Sequence, residues 1–166
     1  MDALPTLALS VRQPWAWAIV AGHKPVENRS PGAVRFMEKV QSLRRGYWIA
    51  VHAAKGMTRE EYERAAEFML SRGVNCPAAI DLLRGGIVGS VRTVGVASNC
   101  QQCPSPWFFG PRGILLDGAT AHAFIPAVGA LGLFKWKPAE AEIVPKPAKW
   151  MVAPVEQSPE APGLFP

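Results

Sequence analysis

The chain has 166 residues, 49% of them hydrophobic and 19% charged, with a formal net charge of +5. This balance excludes a disordered chain, the length allows one domain with a sizeable core, and no apolar run approaches the ~20 residues that cross a bilayer. Residues 1–137 hold 16 Lys and Arg against 9 Asp and Glu and so stand at +7, whereas residues 138–166 hold 2 against 4 and stand at −2. A body of that charge attracts phosphates through its long-range field, although a solubilising surface explains the same charge more plainly.

Met1-Asp-Ala-Leu-Pro5 lacks a basic region followed by an apolar run, so no secretory leader is expected and the expected location is cytoplasmic. Leu7, Leu9 and Val11 alternate with small or polar residues, which predicts a strand over 6–12. Pro14 opens a short helix over 14–22, with Trp15, Ile19 and Val20 on one face and Gly22 as its stop. Residues 25–30 read as a short edge strand carrying Glu27 and Arg29, followed by a turn at Ser30-Pro-Gly32. Val34, Met37 and Val40 recur at helical spacing, predicting a short helix that runs up to Leu43.

Tyr47–His52 is rich in aromatic and β-branched residues and predicts a strand ending at His52. Thr58-Arg-Glu-Glu61 is a capping box, and Tyr62, Ala65, Ala66, Met69 and Leu70 form the apolar stripe of the helix it starts, with Gly73 as the end. Pro77–Leu83 reads as another short helix, and Ile87–Val96 as a long strand whose two internal glycines predict a bend or bulge. Cys100-Gln-Gln-Cys103 falls in a loop over 97–106. With Cys76 the cysteines number three, and no second close pair of ligands accompanies the motif, so reduced loop thiols are expected and no metal. The remaining strands are predicted at 114–116, 123–125 and 131–136. From Pro138 the chain becomes proline-rich, which predicts an extended tail over 138–166, with Trp150 and Met151 as an anchor to the domain or to a partner.

Short strands, an early helix and few parallel crossovers argue for an α+β barrel. Ser10-Val-Arg-Gln-Pro-Trp-Ala16, followed by Ile19-x-x-Gly22-x-Lys24-x-x-Glu27-x-Arg29, resembles the ASCH domain, a relative of the PUA RNA-binding fold. Gly46–Ala54, Gly86–Val91, Ser105–Gly110 and Gly129–Trp136 follow in that family's order, so the resemblance covers about residues 6–137. It implies a small PUA-like β-barrel with short flanking helices over 1–137, followed by the Pro-rich tail, and it marks the segment after Arg29 as an insertion. The function it implies is binding of RNA, a nucleotide or a modified nucleoside in a basic cleft, with no cofactor and no membrane. A protein partner for the Pro-rich tail is a separate expectation.

The polar groups flanking the first helix are the candidates for that cleft. Lys24 and Glu27 form the sharpest pair, and a solvated ion pair is the plain alternative. Arg12 and Arg29 suit phosphate or a carbonyl edge, or else surface ion pairs, Glu27 among the partners; Gln13 suits a base edge or a backbone group at the helix start, and Trp15 suits either core or stacking. Trp107, in a proline-flanked loop, is the better stacking position. His52 is a general acid or base, or else a satisfied core histidine. Two enzymatic alternatives use Lys24, Glu27 and His52 as catalytic residues: a metal-independent ribonuclease and a nucleoside amidohydrolase. For the second, Lys24 matches the catalytic lysine of a related acetylcytidine amidohydrolase. Glu27, however, stands where a threonine is expected, and Ile87–Val96 holds no carboxylate, which counts against amidase chemistry.

Overall fold

The computed structural model describes residues 4–40 and 46–152. Its strands are β1 (Leu7–Val11), β2 (Val26–Arg29), β3 (Trp48–Ala53), β4 (Gly86–Ala97), β5 (Arg112–Pro126) and β6 (Leu133–Lys135). Its helices are α1 (Trp15–Val20), α2 (Pro31–Val40) and α3 (Arg59–Ser71). The strands form one mixed sheet in the order β2-β5-β4-β3-β1-β6, and β1 with β3 is its parallel pair. A parallel pair needs a crossover, and α1, β2 and α2 occupy it. The fold is α+β, as the sequence predicts.

The sheet curls into a half-barrel because β4 slips register against β5 at three places, between Ile87 and Gly89, Ser90 and Arg92, and Thr93 and Gly95. Each irregularity bends the strand and adds twist. The curl brings β2, at one sheet edge, round to β1, where Arg29 Nη2 donates to the Ser10 carbonyl at 2.5 Å. Leu9, Val11, Ile19, Val34, Ile49, Val51, Val91, Ile114 and Leu116 pack into one buried cluster between the sheet and the first two helices.

Three local expectations are corrected. The segments predicted as separate strands at 114–116 and 123–125 are one strand, β5, because the polar stretch between them stays laddered to β4. Pro77–Leu83 contains one 3₁₀ turn, Ala79–Asp81, and Leu82 leaves it in an extended conformation. In α3 the capping box forms as read, with Thr58 Oγ1 accepting from Glu61 N, but Leu70 is exposed and Phe68 packs into the core in its place. The predicted helix reaching Leu43 is observed to Val40, and 41–45 lie outside the described residues.

The chain after Lys137 folds back as far as it is described. Ala127 bridges to Pro138, 3₁₀ turns form at Ala141–Ile143 and Lys149–Met151, and Met151 is buried with Met57, Ala79 and Leu82. Trp150 lies 5.9 Å from the ring of Tyr62. Residues 138–152 therefore cover part of the domain; the rest of the predicted tail, 153–166, lies outside the described residues. Among the described residues, no helix is long and apolar enough to cross a membrane.

Candidate functional site

The turn after α1 decides where Lys24 points. Gly22 takes φ +81°, a conformation open to glycine at no steric cost, and the N–H groups of His23 and Lys24 both bond to the Ala18 carbonyl. Lys24 therefore precedes the strand, and strand alternation does not govern its direction. Its Nζ donates to the Val26 carbonyl and, at 2.8 Å, to Glu27 Oε2. The other Glu27 oxygen lies 3.1 Å from Arg29 Nη2, which also reaches Ser10. Side-chain exposure is 2% for Lys24, 10% for Glu27 and 23% for Arg29, so this is a buried Lys24–Glu27 pair with a partly exposed arginine beside it rather than a solvated pair. Arg29 Nε is also buried and finds no hydrogen-bond partner among the described residues.

An aromatic wall stands beside the cluster. Lys24 Nζ lies 5.8 Å from the Trp15 ring centre, within cation–π range. Trp15 meets Phe68, Trp107 and Phe109 at tilted or edge-on angles, with ring centres 5.9, 6.3 and 6.0 Å away. Within this wall the expected stacking position is corrected: Trp107 is 6% exposed and packed among Ala18, Val26, Met69 and Cys103. Phe109 is 55% exposed instead. Asn28 causes the exchange, because its Nδ2 donates to the Trp107 carbonyl and its Oδ1 accepts from Phe109 N, pinning the loop with Trp107 inward. Neither Asn28 nor Phe109 stands out in the sequence as a site residue. No local pattern marks Phe109, because it stands two residues from Trp107 and strand alternation would put both rings on one side.

The structure separates the remaining candidates from the cluster. Gln13 is buried and bonded at both ends: its Oε1 accepts from Trp17 N at the start of α1, and its Nε2 donates to the Leu83 carbonyl. It holds a backbone group, the second of its two predicted roles. Arg12 is half-exposed and pairs with Glu61 of α3 at 2.6 Å. His52 is 1% exposed, between Ser10 Oγ at 2.8 Å and the Ala127 carbonyl at 2.9 Å. A carbonyl only accepts, so Nε2 carries the proton and Nδ1 accepts from the serine. Burial lowers the His52 pKa, the Ala127 bond opposing it, so the ring is neutral at pH 7 with both nitrogens engaged. It is the satisfied core histidine of the two readings.

Among the described residues, no group of three His, Cys, Asp or Glu is arranged to hold a metal ion. Cys103 is buried in the core, Cys100 is exposed, and burial pushes the Cys76 thiol up to about 11.

The class defined here is an α+β domain whose curled sheet carries a buried, cation-rich centre at one edge strand. No protein-family model matches the chain, and no curated protein matches it. Among solved structures it is similar to a mutant form of ZmASCH from Zymomonas mobilis, at 17% identity over 72% of each chain, with a TM-score of 0.39.

Proposed function

We propose that the chain is a PUA-like domain that binds RNA or a nucleotide at the face carrying Lys24, Glu27, Arg29 and Phe109. The observation that supports this reading is the cluster itself. A buried lysine and a partly exposed arginine share one buried carboxylate, which leaves an excess positive charge beside an aromatic wall. Desolvating such charges often costs more than their attraction returns, so stability alone is a poor account of them. A binding role uses the excess charge for a phosphate or a base carbonyl, and the exposed Phe109 ring for stacking. The motif resemblance over residues 6–137 supports the same reading. The engagement of both His52 nitrogens favours binding over catalysis, because the ring has no free nitrogen to move a substrate proton.

The test is a mixed single-stranded RNA pool, incubated with the protein in EDTA and followed on a gel. Retarded, uncut RNA is expected for the wild type. Phe109→Ala, an exposed position, is expected to weaken retention about tenfold, given ~1–3 kcal/mol per stacked base. The absence of retardation overturns the proposal, and cleavage lost in a Lys24→Met variant that circular dichroism shows to be folded replaces it with the ribonuclease reading.

A further inference from the structure

A groove of about 430 Å³ lies between α2 and the ends of β4 and β5 that meet the 98–111 loop. Pro31, Val34 and Val96 form its apolar wall, and Arg35, Ser98, Gln102 and Arg112 its polar lining. Among the described residues that line it there is no carboxylate. Gln102 Oε1 accepts from Ser98 N at 2.6 Å, which fixes the amide and leaves its NH₂ as a donor. Arg112 is held loosely, since Nη1 reaches the Ser98 and Pro111 carbonyls at 3.4 and 3.3 Å, near the limit of a hydrogen bond.

The ladder adds a reason for an anion here. Arg112 stands directly opposite Arg29, and like charges in that position repel. The carboxylate of Glu27 is engaged with Lys24 and Arg29. We infer that this groove is an oxyanion site that takes a phosphate group, carried by a free nucleotide or by the RNA backbone. Guanidinium forks match phosphate oxygens in pairs, and Ser98 and Gln102 add neutral donors. The groove exceeds what a lone ion needs and falls within the ~300–1,000 Å³ of small-molecule sites, so the apolar wall faces the sugar or base. Its α2 side belongs to the segment read as an insertion. The site shares no lining residue with the Lys24 cluster and does not rest on the reading of that cluster.

The test titrates ¹⁵N-labelled protein with sodium pyrophosphate, AMP, adenosine and a ten-nucleotide single-stranded RNA. Saturable shifts of the Ser98, Gln102 and Arg112 amides are expected with pyrophosphate and AMP, and none with adenosine. Arg112→Gln is expected to weaken pyrophosphate binding about tenfold, as for loss of a charge-assisted bond. Arg35→Gln, at an exposed helix position, repeats the loss where folding does not depend on the side chain. Arg64→Gln removes the same charge from the exposed face of α3 and is expected to change nothing. Displacement of pyrophosphate by the RNA assigns the phosphate to the backbone; displacement by AMP alone assigns it to a free nucleotide. Equal weakening by Arg112→Gln and Arg64→Gln overturns the site, since net charge would then explain everything. RNA retarded on a gel while none of the three amides responds to any probe also overturns it, and leaves the Lys24 reading standing.

Discussion

Glu27 is held by two cations, and removing either one is asymmetric in its effect. Lys24→Met leaves the carboxylate in a nearly dry site with Arg29 alone, and is expected to cost about 3–5 kcal/mol in urea unfolding. The double variant Lys24→Met/Glu27→Leu removes the buried pair together and is expected to cost less than the sum of the single changes. Strict additivity would mean that the pair is not coupled. His52 makes a prediction of opposite origin. Its pKa is lowered in the fold from the ordinary 6.5, chiefly by burial, so the unfolded chain takes the proton more readily. The His52 contribution is therefore intact above about pH 6.5 and is lost as pH falls through the folded pKa. His52→Gln is expected to flatten this acid limb, measured as the melting temperature between pH 7 and 5; an unchanged limb would assign it to other groups.

At the level of elements, the two glycines inside β4 lie beside register shifts but differ in their surroundings. A Cβ on Gly89 would fall 2.4 Å from the Thr120 carbonyl oxygen and 2.6 Å from Val20 Cγ1, whereas on Gly95 the nearest atom is Leu115 Cδ1 at 3.6 Å. Gly89→Ala is expected to destabilise by at least ~1–3 kcal/mol, because a fixed backbone oxygen and the α1 side chain both stand in the way. Gly95→Ala is expected to be neutral or slightly stabilising, through a stiffer unfolded chain. Equal effects in thermal unfolding would contradict the close approach of α1 to β4. The glycines themselves were legible as signs of a bend. Which of them α1 presses against was not, because that depends on a helix some 70 residues earlier in the chain.

For the whole molecule, the chain after Lys137 contributes to the domain it follows. Met151 completes a buried cluster with Met57, Ala79 and Leu82, and its sulfur lies 3.6 Å from Arg84 Nη2. Met151→Ala is expected to cost about 2 kcal/mol, or roughly 4–8 °C in melting temperature for a chain of this size; an unchanged melt would mean that this contact contributes nothing. The charge of the whole molecule is read by salt. The affinity for single-stranded RNA is expected to fall linearly on a log–log plot, and, where the groove takes a backbone phosphate, Arg112→Gln to reduce the slope by about 0.7, one phosphate contact.

The local pattern of the sequence determined the strands β1, β2 and β4, the capping box of α3, the glycine stop after α1 and the proximity of Lys24 to Glu27. These depend on a few neighbouring residues and on backbone conformations that glycine, proline and threonine favour. The tertiary structure alone decided that this pair is buried, that Trp107 turns inward while Phe109 faces water, and that His52 spends both nitrogens on Ser10 and Ala127. It also decided that α2 meets β5 to frame a groove between two arginines. Each of these outcomes rests on partners brought together by the curl of the sheet, over separations that no local periodicity records.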